Sequence, residues 1–145
     1  MVVRIVLLLF FGWLFLVPSA GAECLPYSDW VPGLYGGGFQ LDCQVCDVHM
    51  DCTVSYYNFS GVEGVVANGN ASFQITLLGD WLDLTVTGGP VYYQVDGENY
   101  EVLFDNLYFG IDLYNNGFEI VDVGGGLTVN GEYLPADPIL ADFLF

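Results

Sequence analysis

Four turn signals divide this chain from Val48 onward. Asn68-Gly69, Asp96-Gly97, Asn115-Asn116-Gly117 and Asn130-Gly131 each separate short runs rich in β-branched and aromatic residues. Asn-Gly and Asp-Gly supply the positive φ that two-residue hairpin turns demand, so the pattern predicts successive antiparallel hairpins. Alternation assigns the faces: Phe73, Ile75 and Leu77 oppose Gln74 and Thr76, and Leu82, Leu84 and Val86 oppose Asp83, Thr85 and Thr87. In "ENYEVLFDNLYFGIDLY" the apolar positions are even through Phe104 and odd from Leu107, through Phe109 and Ile111 to Leu113. A change of parity within one strand predicts a bulge or turn at Asp105-Asn106 and turns Asp112 away from the core. No amphipathic helical pattern of 12 or more residues appears after residue 22, and only the C-terminal tail has room for one helical turn or two. The fold class expected is all-β, a curved antiparallel meander sheet or half-barrel.

The start of the chain reads differently. Arg4 is followed by "IVLLLFFGWLFLV" and then by the small residues Ala20-Gly21-Ala22, the pattern of a secretory signal peptide over residues 1–22. Its apolar block is too short for a membrane span, and no second such run follows. Secretion places Cys24, Cys43, Cys46 and Cys52 in an oxidising compartment, where an even count in a small domain reads as two disulfides. Three pairings are possible; a Cys43–Cys46 ring is tight, which favours Cys24 with one of that couple and Cys52 with the other. A Cys3His zinc site with His49 is the competing reading of "CQVCDVHMDC". Its even steps of three lack the two-pair spacing of such sites, so no metal is expected. His49 itself reads as a loop residue. Residues 23–47, with Pro26, Pro32 and Gly36-Gly37-Gly38 among isolated aromatics, read as an irregular arm held by the disulfides. Residues 48–145 read as the antiparallel β domain, ending in a short apolar tail, "PILADFLF".

Charge narrows the partners. Arg4 is the only Lys or Arg, and all 18 Asp and Glu follow residue 22, so removing the leader takes the formal net charge from −17 to −18. Such a surface repels nucleic acid and anionic membranes and attracts cations or basic groups. A chain this charged is often disordered, yet the hydrophobic fraction of 54% and ten tyrosines argue for a packed core. Nucleophilic catalysis needs a base, and the one histidine sits in the cysteine run; no lysine and no phosphate loop is present. Neither "DVHMD" nor "DWLD" matches a spaced Ca²⁺ loop. The expectation is a non-enzyme without cofactor. Asn58-Phe59-Ser60 and Asn70-Ala71-Ser72 are N-glycosylation sequons, placing Asn58 and Asn70 at the surface.

From Val54, the order "VSYYNFSGVEGVVANGNASFQITLLGDWLDLTV" followed by "GENYEVLFDNLYFGIDL" resembles the arthropod takeout and haemolymph juvenile-hormone-binding family. The resemblance covers about 60 residues. It implies long curved strands and carriage of a hydrophobic hormone or lipid in a tubular cavity; it assigns no individual binding residue. The expected function is therefore a secreted acidic protein that binds a small apolar ligand on Phe73, Ile75, Leu77, Leu82, Leu84, Phe104, Phe109 and Ile111. The alternative is a structural protein of an extracellular coat such as eggshell or cuticle, suited by tyrosines available for cross-linking and the absence of trypsin sites. In that alternative the same apolar side chains only pack on one another.

The secreted protein is expected to begin at Glu23 and to carry no free thiol. Its intact mass should not change when an alkylating agent is added without reductant. Two or more labelled thiols would overturn the disulfide reading and restore the zinc site.

Overall fold

The computed structural model describes residues 24–114 and 117–137. The signal peptide over residues 1–22 and the apolar tail over residues 138–145 lie outside the described residues. Eight strands follow in order: β1 Leu25–Pro32, β2 Gly36–Cys46, β3 His49–Val62, β4 Val65–Leu78, β5 Trp81–Val95, β6 Glu98–Tyr114, β7 Gly117–Val129 and β8 Glu132–Pro135. Each pairs antiparallel with the next, giving one open eight-stranded meander. Among the described residues no helix is long and apolar enough to cross a membrane.

Two of the expected turns form as read. Asp96 (φ 50°) with Gly97 (φ 87°), and Asn130 (φ 50°) with Gly131 (φ 84°), have positive φ at both central positions, the type I′ requirement. β6 and β7 pair up to Tyr114↔Gly117; the turn signal at Asn115 and Asn116 between them lies outside the described residues. Asn68-Gly69 departs from expectation, because β4 runs through it. The hairpin closes earlier, at Glu63-Gly64, where Gly64 has φ 80°. Gly69 instead sits at a register shift between β4 and β5, with φ 108° and its α-carbon against the Pro90 carbonyl. A residue pair that permits positive φ serves a bulge as well as a turn, and local sequence does not separate the two uses.

The N-terminal region is stapled, but it is not irregular. Residues 25–32 and 36–46 are strands, with Tyr27↔Cys43 and Val31↔Phe39 in register. Both prolines fit because β1 is the edge strand, where a missing N–H costs no ladder bond. Trp30 N–H is taken by Asp29 Oδ1 at 2.8 Å, so together with Pro26 and Pro32 it leaves this edge few donors for a further strand. The disulfides are Cys24–Cys46 and Cys43–Cys52, with Cα–Cα distances of 4.2 and 4.1 Å. Alternation along β2 places Cys43 on the core face and Cys46 on the other, so the sheet carries one staple per face. Each closes a short loop and contributes about 3 kcal/mol in the chain-entropy picture. His49 starts β3, paired with Cys46, rather than occupying a loop.

A single open sheet buries a core only if it bends over its own apolar face. The bend is visible as a line of irregularities from β2 to β7: register shifts fall at Gly36/Gly38, Tyr56/Phe59, Gly69/Ser72, Gly88/Val91 and Asp105/Tyr108. The last is the bulge expected at Asp105-Asn106, and Asn106 there has φ 49°. On one side of the line Val45, Met50, Ile75, Leu84, Phe109 and Val123 form a cross-strand row; on the other, Val91, Val102 and Val129 form a second. Residues of both rows belong to one hydrophobic cluster, with Val91 at 0% exposure. Strands that turn a corner through bulges in this way carry a sheet from one wall of a core to the other.

Close approach along the line requires glycine. A Cβ at Gly125 (φ +68°) would run into the Asn106 carbonyl, whereas one at Gly79 (φ +64°) would meet only open space. Both positions disfavour an L side chain, so Gly79→Ala is expected to cost about 1 kcal/mol. Gly125→Ala is expected to cost at least about 2 kcal/mol more, because backbone must shift. Denaturant melts of the two variants test this; equal losses would show that the line of bulges yields freely.

Candidate functional site

The eight residues expected to line an apolar site are all in or against the core. Ile75, Leu82, Leu84, Phe109 and Ile111 are buried, and Phe73, Leu77 and Phe104 pack on them partly buried. They are brought together, but with one another, in a cluster that also takes in the Cys43–Cys52 bridge. Asn58 and Asn70 are both exposed. Asn58 Oδ1 accepts from Asn68 Nδ2 at 3.0 Å, and Asn68 Oδ1 accepts from the Asn58 N–H at 2.8 Å, which ties β3 to β4 at the bend.

The other face carries a depression of about 540 Å³, bordered by Pro26, Ser28, Asp42, Gln44, Asp51, Thr53, Ser72, Gln74 and Thr87 together with Tyr27, Cys43, Cys52 and Phe73, the last the only one of the eight apolar residues at its border. Register explains why these side chains converge. Ser28, Asp42, Thr53, Ser72 and Thr87 are successive cross-strand partners over β1–β5, and Pro26, Gln44, Asp51, Gln74 and Thr85 form the parallel row. With strands about 4.8 Å apart, each row spans roughly 19 Å. Ser28 Oγ donates to Asp42 Oδ1 at 2.6 Å, and Gln40 Nε2 donates to Ser28 Oγ at 2.7 Å. Asp51 Oδ2 meets His49 Nε2 at 3.1 Å, while His49 Nδ1 lies 2.8 Å from Thr76 Oγ1. The Asp51 side chain is 47% exposed, yet its Oδ1 is turned out of solvent and has no hydrogen-bond partner among the described residues. An acceptor left in that state costs about 1–3 kcal/mol.

A third row adds aromatic surface. Trp30 pairs with Gln40, and Gly38 pairs with Tyr57. The Trp30 ring lies where a Cβ of Gly38 would be, with the Tyr57 ring centroid 5.8 Å away and tilted by 36°. Both remain about half exposed, at 48% and 54%. These residues were not singled out by the sequence, because each polar or aromatic residue on a solvent face is ordinary alone; only the register of β1–β5 assembles them.

Farther along the same face, Asp83 Oδ1 accepts from Trp81 Nε1 at 2.6 Å and from the Tyr108 hydroxyl at 2.7 Å. The bond to Asp83 is the main reason the Tyr108 hydroxyl is pushed up to about 12, with burial and the charges of Asp83 and Asp122 adding to it. On the core side, burial raises Tyr56 and Tyr93 above the usual tyrosine value. A raised tyrosine pKa means that the fold prefers the neutral phenol. The stability this supplies is complete below the ordinary value of 10.0 and is lost as pH rises through about 12 for Tyr108. Asp83→Asn removes the carboxylate charge, so Tyr108 ionisation, followed by carbon-13 NMR at Cζ, is expected to move down toward 10.0. An unchanged midpoint would assign the shift to burial instead.

Compared with protein-family models, with curated proteins and with solved structures, the chain matches none of them.

Proposed function

We propose that this chain is a secreted, non-catalytic binding protein whose ligand lies on the polar face of β1–β5. The observation that carries the reading is the open depression of about 540 Å³ on that face, within the usual size range for ligand sites and bordered by polar side chains together with Tyr27, Phe73 and the Cys43–Cys52 bridge. The two disulfides are consistent with an extracellular setting. The apolar face is occupied otherwise: Leu82, Phe109 and Ile111 are almost wholly inaccessible in one packed cluster, so an apolar ligand there would have to displace core contacts. The coat reading stays as the second one, favoured by the exposed phenols of Tyr35, Tyr57, Tyr92, Tyr114 and Tyr133.

Nitrogen-15 NMR of the protein, titrated with the small-molecule and glycan fraction of its own extracellular medium, tests the binding reading. Shift changes are expected at Ser28, Asp42, Thr53, Ser72 and Gln74. Changes centred on Leu84 and Phe109, with a raised melting midpoint in a fluorescent fatty-acid probe, would replace it with apolar carriage. A tyrosine-linked covalent ladder in protein taken from its source, without such shifts, would put the coat reading first.

A further inference from the structure

We infer that the ligand of this face is a neutral oligosaccharide, its pyranose rings stacked on Trp30 and Tyr57 and its hydroxyls bonded along the two polar rows. The inference rests on the binding reading above and names its ligand class. Three observations carry it.

The first is the platform. Trp30 packs against Gly38, where no side chain is in the way, and Tyr57 stands beside it at 5.8 Å, tilted by 36°, so the pair offers two inclined, partly exposed aromatic faces. Such a surface has little conformational freedom left to lose when something stacks on it. The C–H face of a sugar ring is flat, apolar and of matching size.

The second is the chemistry beside the platform. Gln40 adjoins Trp30 in register, and Ser28 and Asp42 form the next cross-strand pair, leading on to Gln44, Asp51, Thr53, Ser72 and Gln74. Carboxylate and amide groups are planar and bind through two atoms at once, and hydroxyls both donate and accept; together they complement a ligand that presents adjacent hydroxyls. Asp42 already accepts from a hydroxyl, Ser28, and from an amide, Gln40, which are the donor types a saccharide presents.

The third is charge. The chain has no Lys or Arg beyond Arg4, and the groove holds Asp42 and Asp51. A sulfated, phosphorylated or uronic chain would meet repulsion with no cation to offset it, which removes the anionic class; the salt arm of the test below separates a neutral ligand from a cationic one. Asn70 precedes Ser72 on the same face of β4, opposite Ser55 and Thr53 of β3. A glycan attached there would stand next to the groove, so the binding measurement calls for protein without one.

Protein made in a bacterial periplasm, where disulfides form and N-glycans are not added, serves for the test. In the Trp81→Phe variant, Trp30 is the only tryptophan among the described residues, so its emission reports on the platform. Hexamers of β-linked glucose, N-acetylglucosamine and mannose are titrated against it, with a heparin fragment, a chitosan hexamer and a lysine hexapeptide for comparison. The expected result is a saturable blue shift with at least one neutral hexamer and none with heparin. Tyr57→Ala and Gln74→Ala should each weaken that binding about tenfold or more while the melting midpoint and far-UV spectrum hold, and 0.5 M NaCl should leave it unchanged. Should Tyr57→Ala unfold the protein, Gln74→Ala, on the exposed side of β4, carries the test alone. Saturable binding of chitosan or the peptide only, abolished by the salt, would overturn the neutral-saccharide inference while keeping a binding face. Absence of binding by every probe, together with no shift on the polar face in the extracellular-fraction titration, would overturn both.

Discussion

The structure depends on one constraint: a single sheet must supply both walls of its own core. Among the described residues no helix covers the apolar face, and strands pair only with their neighbours in sequence. The oblique line of bulges solves this. It bends β3 to β6 midway, which is why these strands reach 14 to 17 residues, well beyond a typical strand. Each bulge also resets which side of the strand faces inward. Val86 and Val91 on β5, and Phe104 and Leu107 on β6, have opposite parity yet all face the core. Without the reset, one half of each strand would turn its apolar side chains to water.

This explains which parts of the fold were legible. The parity change in β6 was readable because apolar residues continue on both sides of Asp105-Asn106. The hairpins at Asp96-Gly97 and Asn130-Gly131 were readable for the same reason: strong alternation flanks a residue pair that tolerates positive φ. Asn68-Gly69 was misread because bulge and turn ask the same thing of the backbone there. Turns at Asp47-Val48 and Gly79-Asp80 carried weaker signals and were missed. In the arm, Pro26, Pro32 and three glycines suggested irregular chain, but at an edge prolines are tolerated, and Gly38 leaves the space that Trp30 fills. Neither fact is local. Both come from pairing between residues six or more apart in the chain, which is also why the groove, assembled from five strands, was invisible before register was known.

The paired disulfides belong to the same problem. β1 pairs in the sheet only with β2, and it is the strand that brings Ser28 and Trp30 to the polar face. Cys24–Cys46 fastens its start on one face, and Cys43–Cys52 locks β2 to β3 on the other. An edge strand with two prolines and one capped N–H has a poor ladder of its own, so covalent closure substitutes for bonds that the edge gives up. The edge is thereby held in register while remaining unattractive to a further strand. A platform built on β1 needs both properties.

The absence of basic side chains shapes the polar face further. In most proteins an exposed carboxylate finds a lysine or arginine; here His49 with Asp51 is the only such contact among the described residues. Several other carboxylates are served by neutral donors: Asp42 by Ser28 and Gln40, Asp29 by the Tyr27 hydroxyl and the Trp30 N–H, Asp83 by Trp81 and Tyr108, Glu98 by Tyr100. Bonds from hydroxyl and N–H donors to a charged acceptor are stronger than neutral ones and hold the acceptor in a defined orientation. They also leave its charge in place, because no cation cancels it. A face organised on this principle repels anions and offers oriented acceptors to hydroxyls. In such a setting the proposed recognition of neutral, hydroxyl-bearing molecules would extend the same kind of bond that already orders the surface.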